Sequence, residues 1–393
     1  MEFLNNKNNK TTFINCYSVF LLNGMLALSI GSLLPFIRDA RGLEYAFCGL
    51  IVSLHSIGNL FSSFFAGTLP VFIGKKKSIL LFNSFYAISY ILILFSASKM
   101  ALAFAFFLTG LARGATSNFC NTAINSLAPG RAWILNGLHA MFSIGALAFP
   151  IFLTILTKNN PSNWTYACFF MLAMGVLSLI LYFMIPTTDD VTNDKTSSMS
   201  SMDFIKAPLF HLCTLTLFFY LCAEQGVIGW LVTYLKDTGI LSASKSQLSA
   251  SIQWTAILIG RLLTAYLSTR FDRKKLIRIM SFGLVLFFLV LITGRSELQV
   301  MIGIFGFGLA MAGIYPTTVS FSGYLIKDYP LAWSFVLTLA SFGSIIMPSV
   351  IGRIADTFSI YSGMCSVAVA VIIDFIFIWL LTHYIKKSES SLS

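Results

Sequence analysis

Residues 208–235 read PLFHLCTLTLFFYLCAEQGVIGWLVTYL and contain one acidic residue, Glu224, in an otherwise apolar stretch. A run of about 20 mostly apolar residues is long enough to cross the hydrocarbon core of a bilayer as an α-helix. The rest of the chain has the same character, because 57% of its 393 residues are hydrophobic, 10% are charged and its mean hydropathy is +0.82. This composition excludes an ordinary water-soluble domain and predicts an all-α membrane protein.

Twelve apolar stretches of spanning length follow one another along the chain and leave little sequence for a soluble domain. They cover approximately residues 12–37, 46–72, 78–98, 101–125, 135–157, 164–185, 208–235, 247–268, 276–294, 299–325, 332–352 and 359–384. The first stretch is too long for a removable signal peptide and lacks the small-residue cleavage pattern, so we expect a retained span. We predict helices rather than strands, because apolar and polar residues do not alternate.

The distribution of Lys and Arg predicts the orientation in the membrane. Twelve spans place both chain ends on one side, which carries sixteen Lys and Arg residues against eight on the other side. Cytoplasmic loops are the more basic ones, so we expect both termini in the cytoplasm and the protein in a cell membrane, the inner membrane in a bacterium. The net charge of +11 follows from this topology, and the sequence offers no basic soluble domain suited to nucleic acid.

An internal repeat with a constant offset of 198 residues divides the chain into two halves. The matching segments are GSLLPFIRD at Gly31 and GWLVTYLKD at Gly229, GKKK at Gly74 and DRKK at Asp272, GLA at Gly110 and Gly308, and GALAFP at Gly145 and GSIIMP at Gly343. A polar segment rich in Ser, Thr and Asp lies between the halves. We therefore predict a six-helix bundle at 1–185, a cytoplasmic linker at 186–207 and a second six-helix bundle at 208–393, with a pseudo-two-fold axis along the membrane normal.

Seven cysteines lie scattered in or beside the apolar stretches, without CxxC pairs or nearby histidines in a ligand pattern. We expect neither disulfides nor a metal site from them. The sequence also lacks HExxH, GxSxG and paired carboxylates, so an enzyme is disfavoured and no cofactor is predicted.

Two six-helix halves joined by a polar loop resemble the major facilitator superfamily, and the resemblance covers nearly the whole chain. Four segments narrow it, because they are similar to the fucose/galactose/glucose:proton symporters. These segments are NGLHAMFSIGALAFP in the fifth span, AEQGVIGW in the seventh, SIQWTAILIGRLL in the eighth and GLAMAGIYPTT in the tenth. At a fourth-span position where that family commonly has Asp, this chain has Ser117.

The resemblance implies the major facilitator fold and a secondary active transporter that works by alternating access. It further implies proton-coupled uptake of a sugar-like or other small polar solute. The expected partners are therefore this solute, protons and the lipid bilayer, and we expect a monomer. Two alternatives stay open, an exporter of amphipathic compounds and a non-transporting sensor on a transporter scaffold.

Two charged residues lie about halfway along their spans, Arg113 in the fourth and Glu224 in the seventh. An arginine at the bilayer centre costs about 2.5–3.5 kcal/mol on insertion scales, so we expect Arg113 to face a cavity or a partner. The resemblance implies that spans one, four, seven and ten line a central cavity. We interpret Glu224 as a proton-coupling or substrate-binding carboxylate, and the alternative is a permanent buried ion pair with Arg113.

Further polar and aromatic residues are candidates for the same site. On the fourth span, Asn118 and Asn121 share a face with Arg113. The remaining candidates are Asn136 and His139 in the fifth span, Tyr220 and Trp230 in the seventh, and Gln253 and Trp254 in the eighth. His55 is a weaker candidate, and for Asp374 in the twelfth span we expect a hydrogen bond within its own half.

Overall fold

The computed structural model describes residues 6–128, 132–186, 202–322 and 329–390. Most of the predicted linker at 186–207 lies outside these ranges, and so does the side chain of Asn136. The described residues form helices and contain no strand, and twelve of the helical segments are long and apolar enough to cross a membrane. The predicted all-α architecture with twelve spans is therefore confirmed.

Thirteen α-helices of the described residues make up the twelve spans, because the tenth span consists of two helices. They are α1 (Lys7–Arg41), α2 (Tyr45–Ile73), α3 (Lys75–Phe95), α4 (Lys99–Leu127), α5 (Ala132–Thr157), α6 (Trp164–Met184), α7 (Pro208–Asp237), α8 (Ala243–Leu267), α9 (Arg273–Thr293), α10 (Glu297–Met311), α11 (Ile314–Phe321), α12 (Pro330–Thr357) and α13 (Ile360–Ser390).

The tenth span departs from the single helix predicted at 299–325. Helix α10 ends at Met311, and α11 begins at Ile314, after Gly313. Pro316 has no backbone N–H, so a continuous helix would lack its hydrogen bond to the carbonyl of Ala312. The break therefore follows from the sequence around Gly313 and Pro316.

The chain forms two compact units. Unit 1 comprises Met1–Leu43 and Leu50–Asp194, and unit 2 comprises Glu44–Gly49 and Lys195–Ser393. In unit 1, α1 packs against α4, α5 and α6, and α3 packs against α4 and α6. In unit 2, α7 packs against α11, α12 and α13, and α9 packs against α10 and α13. Because α10 and α11 form the tenth span, corresponding spans are neighbours within each unit.

Close contacts of glycines occur in the two units at positions that are 198 residues apart, as in the sequence repeat. A side-chain carbon at Gly110 of α4 would overlap the carbonyl oxygen of His55 on α2. A carbon at Gly308 of α10 would lie 2.7 Å from the carbonyl oxygen of Gln253 on α8. His55 and Gln253 are themselves 198 residues apart, so the same backbone approach occurs at the same place in both units.

A second pair of contacts shows the same relation to within one residue. Gly145 of α5 packs on the backbone of α1 at Leu21, and Gly343 of α12 packs on the backbone of α7 at Phe218. Only glycine permits helices to approach this closely, because a Cβ atom at either position would overlap a carbonyl oxygen. The matching GALAFP and GSIIMP segments therefore reflect shared packing.

The first turn of α2 groups with unit 2 through the end of α12. The carboxylate of Asp356 accepts the backbone N–H of Tyr45 at 2.8 Å and that of Ala46 at 2.6 Å. The hydroxyl of Tyr45 donates to Asp237 at 2.9 Å. A carboxylate at a helix N-terminus satisfies N–H groups that have no partner within the helix and opposes the positive end of the helix dipole.

Candidate functional site

The polar centre of unit 1 is built around Arg113, which is half-buried in the middle of α4. Its Nη1 lies 3.4 Å from Nε2 of His55, a fully enclosed side chain of α2. The other ring nitrogen of His55, Nδ1, lies 2.8 Å from Oγ1 of Thr109. Thr109 donates its hydroxyl hydrogen to the carbonyl oxygen of Phe106 at 2.6 Å.

These contacts define the protonation of His55. Because the Thr109 hydrogen is used by Phe106, Thr109 accepts from Nδ1–H of His55. Nε2 of the neutral ring is then an acceptor and faces the Arg113 guanidinium. His55 thus acts as a fixed, uncharged acceptor that holds the arginine without neutralising it.

A buried hydrogen-bond network joins α1, α3 and α4 beside this arginine. The amide of Asn23 donates to Oγ of Ser117 at 3.1 Å, and the hydroxyl of Tyr86 donates to Oδ1 of Asn23. Asn23 and Tyr86 are almost completely buried. Polar groups in a hydrocarbon environment are stable only when they are hydrogen-bonded, and here each partner satisfies the other.

Unit 1 carries no acidic residue near its arginine. Residues 45–188 contain no Asp or Glu at all, which covers every span of unit 1 except the first. The centre of this unit is therefore electropositive, and a carboxylate that neutralises Arg113 has to come from outside these spans.

The polar centre of unit 2 is built around Glu224, which is half-buried in the middle of α7. The hydroxyl of Tyr220 donates to its Oε1 at 3.0 Å, and the amide of Gln225 donates to its Oε2 at 3.4 Å. Within the described part of unit 2, no Lys or Arg forms an ion pair with this carboxylate. Its two neutral donors leave acceptor capacity on both oxygens.

The break in the tenth span brings a second tyrosine to this centre. The ring of Tyr315, at the start of α11, lies 6.1 Å from the ring of Tyr220. Tyr315 is half-buried, whereas Tyr220 is 3% exposed. A carboxylate, an amide and two tyrosines from α7 and α11 thus meet at the middle of unit 2.

Three predicted site residues of unit 2 are instead enclosed in its packing. Trp230 is completely buried and donates its indole N–H to the carbonyl of Pro348 at 3.1 Å. Gln253 is 1% exposed, and its amide lies 4.0 Å from Sδ of Met311, while Trp254 is 7% exposed. Trp230 thus links α7 to α12, and Gln253 links α8 to α10.

The remaining candidates lie on α4 and α5 of unit 1. Asn118 and Asn121 are half-buried on α4, and Oδ1 of Asn121 has no hydrogen-bond partner among the described residues. His139 is exposed on α5, and its ring lies edge-on 5.3 Å from the ring of Phe20 on α1. Helix α1 packs extensively on both α4 and α5, so it lies next to both sets of side chains.

The structure adds site residues that the sequence did not single out or favoured little. They are His55, Asn23, Tyr86 and Tyr315. The repeat offers a signal for His55, because it places His55 opposite Gln253 and Arg113 opposite Met311. The charged Arg113 of unit 1 thus corresponds to an uncharged methionine in unit 2, so the two halves differ in charge at this position.

Comparison with known proteins identifies the family. Residues 16–292 and 213–392 match the model described as Major Facilitator Superfamily. The chain belongs to this superfamily. It is a non-enzymatic, multi-pass membrane protein with the fold of a secondary transporter.

Curated relatives match over most of their length. The chain is 21% identical over 368 residues to Protein TsgA homolog of Yersinia enterocolitica, covering 92% of this chain and 93% of the relative. A protein of the same name from Yersinia pseudotuberculosis is 20% identical over the same share of both chains.

Solved structures show the same fold. The nucleoside transporter NupG aligns with a TM-score of 0.75 at 14% identity, covering 95% of this chain and 98% of NupG. A bacterial homologue of the human lysosomal transporter Spinster aligns with a TM-score of 0.78 at 13% identity, covering 96% and 97%. FucP aligns with a TM-score of 0.64 at 18% identity, covering 94% and 98%.

Proposed function

We propose that this protein is a proton-coupled symporter that takes up a small polar solute rich in hydroxyl groups. The observation that carries the proposal is the Glu224 centre, a half-buried carboxylate at mid-depth in α7 with neutral hydrogen-bond donors and no ion pair among the described residues of its own unit. An ionisable residue at this depth is costly and is retained for a function.

Glu224 is proposed to couple proton binding to solute transport. Its charge depends on water, because a carboxylate loses stability when the surrounding water is removed. During alternating access, opening of the site favours the ionised acid and occlusion favours the protonated acid. Solute binding and proton binding at one site are then linked, as reciprocity of binding free energies requires.

The chemistry around Glu224 favours a hydroxylated solute. Carboxylate oxygens and the Gln225 amide exchange hydrogen bonds with hydroxyl groups, and the rings of Tyr220 and Tyr315 offer aromatic faces. Sugars and nucleosides have hydroxyl groups for these hydrogen bonds and rings that can pack on these aromatic faces. NupG is named a nucleoside transporter, and the sequence resembles sugar:proton symporters, which supports the same solute class.

Arg113 is proposed as a solute-binding residue of unit 1. Its partner His55 is uncharged, so the guanidinium keeps its positive charge. A guanidinium with several donors in a fixed plane suits a hydroxyl-rich or carbonyl-bearing ligand. The protein is proposed to act as a monomer in a bacterial inner membrane with both termini cytoplasmic.

Transport into proteoliposomes tests the proposal. The purified protein is reconstituted, a pH gradient is imposed, and uptake of radiolabelled fucose, galactose, glucose and uridine is measured. Glu224→Gln keeps the shape of the side chain and removes its titration, so we expect loss of accumulation while exchange of preloaded solute is retained. Glu297→Gln is the matched control, since Glu297 forms an exposed ion pair with Lys245 at 2.6 Å.

The outcomes separate the alternatives. Accumulation of solute by Glu224→Gln on a pH gradient alone would remove Glu224 as the coupling residue. Efflux of amphipathic dyes without uptake of any polar solute would indicate an exporter. Binding of a solute without movement in either direction would indicate a sensor.

A further inference from the structure

A second carboxyl group lies in the middle of unit 2, on α13. Asp374 is 14 residues from the start of this helix and is completely buried. Neither of its carboxyl oxygens has a hydrogen-bond partner among the described residues. The hydrogen bond that we expected for it from the sequence is therefore absent from the described part of the chain, and that expectation was wrong.

The helices around Asp374 pack closely. Helix α13 packs against α7, α9 and α12. One turn beyond Asp374 towards the C-terminus, Phe377 stacks on Phe219 of α7 with ring centroids 5.8 Å apart. Two turns before Asp374, Val367 lies against Gly226 of α7, where an added side-chain carbon would come within 3.2 Å of it.

No charged group in these helices compensates a negative charge on Asp374. In α7, Glu224 is itself acidic, and Lys236 and Asp237 pair with each other at the end of the helix. From α9, Arg278 is committed elsewhere, because it donates to Thr382 at 2.7 Å and lies over the ring of Trp379.

The charged residues of α12 lie near its end. They are Arg353 and Asp356, and Asp356 binds the first turn of α2. An isolated carboxylate in such a site is far less stable than the protonated acid, so Asp374 is neutral in this conformation.

Stability does not explain this residue. A buried acid without partners costs folding free energy, and an apolar side chain of similar size would pack at lower cost. Phe219, which stacks on Phe377 of α13, does, however, directly precede Tyr220, whose hydroxyl binds Glu224. Helix α7 therefore carries Glu224 and also adjoins the buried acid.

We propose that Asp374 is a second proton-binding site, protonated while α13 packs against α7 and ionised when these helices separate. On separation, the carboxyl O–H bond breaks, the proton passes to an entering water molecule, and a carboxylate remains. Through Tyr220, its charge opposes ionisation of Glu224. The role of this proton in transport rests on the proposed symport, whereas its binding and release do not.

Infrared difference spectroscopy on the full chain tests the proposal without any solute. The protein is reconstituted in phosphatidylethanolamine–phosphatidylglycerol vesicles, and the carbonyl band of protonated carboxyl groups is recorded. We expect a wild-type band that is lost in Asp374→Asn and in Asp374→Leu and is retained in Glu297→Gln. We expect the same band to shift after transfer into deuterium oxide, because its proton exchanges with water.

Two results would overturn the proposal. If no carbonyl band is lost in either variant, Asp374 is ionised or hydrogen-bonded differently and the site does not hold a proton. If the band is present and never shifts in deuterium oxide, the acid is permanently neutral and has no access to water.

The proposed symport is tested separately. If the Asp374 band exchanges but the protein shows no uptake on a pH gradient, the proton site is supported and the symport is contradicted. Proton-driven uptake together with a band that does not exchange would remove only the proposal for Asp374.

Discussion

The hydroxyl of Tyr220 lies 3.0 Å from Oε1 of Glu224, one helical turn further along α7. This bond links a fully enclosed tyrosine to a half-buried carboxylate, so it orients the acid from the packed side of the helix. Its position makes Tyr220 the residue that controls where the carboxylate points.

Removal of this hydroxyl is expected to impair transport. A hydrogen bond to a charged group contributes about 1.5–3 kcal/mol, which corresponds to roughly 10- to 100-fold in an equilibrium constant. We expect Tyr220→Phe to lower the rate of proton-driven uptake about 10-fold. Tyr234→Phe is the control on the same helix, because its hydroxyl is buried without a partner among the described residues. Equal uptake by both variants would show that the bond to Glu224 is not used.

Loss of the acceptor beside Arg113 is expected to weaken solute binding. His55→Leu removes the ring nitrogen that lies 3.4 Å from the arginine, whereas His55→Gln can restore an acceptor through its amide oxygen. We expect KM to rise about 10-fold in the leucine variant and to recover in part in the glutamine variant. His383→Leu, at an exposed position of α13, serves as control. A normal KM in His55→Leu would contradict a positioning role.

Alanine substitutions at the equivalent positions Gly110 and Gly308 are expected to lower stability to a similar extent. An added methyl group at Gly110 or Gly308 meets a backbone carbonyl that cannot rotate away, so each alanine variant should lose about 1–3 kcal/mol of stability. At Gly283 the added carbon meets only the side chain of Ala310, at 3.3 Å, and we expect a smaller loss. Thermal unfolding in detergent measures all three, and a large difference between Gly110→Ala and Gly308→Ala would contradict equivalent packing.

The carboxylate at the start of α2 is expected to stabilise unit 2. Asp356→Ala removes the acceptor for two backbone N–H groups, and loss of such a cap costs about 0.5–2 kcal/mol. Asp203→Ala removes an exposed ion pair with Lys206, which contributes only about 0–1 kcal/mol. The midpoint of thermal unfolding should therefore fall more for Asp356→Ala, and an unchanged midpoint would show that water replaces the cap.

Long-range features of the fold were accessible from the sequence because they depend on composition and periodicity. Apolar length predicts the twelve spans, and the offset of 198 residues places Gly110 opposite Gly308 before any contact is known. The break before α11 was missed, although Gly313 and Pro316 stand at it. Apolar length alone cannot detect a break that leaves the span long enough to cross the membrane.

Side-chain partners were less accessible, because they depend on the rotation of each helix. The sequence predicts a hydrogen bond for Asp374, yet neither of its carboxyl oxygens has a partner among the described residues. Trp230 is a candidate for solute contact, and the sequence does not show that its indole donates to Pro348. The position of His55 beside Arg113 likewise depends on contacts with Thr109 and Phe106 that the sequence does not show.

The absence of acidic residues from 45 to 188 has a consequence for biosynthesis. Synthesis proceeds from the N-terminus, so α4 enters the membrane before the ribosome has made any carboxylate beyond this stretch. The insertion penalty of its arginine, about 2.5–3.5 kcal/mol, must then be offset by groups already present. His55 precedes Arg113 in the chain and offers its acceptor at this stage. An acceptor for the arginine thus comes earlier in the chain than the arginine itself.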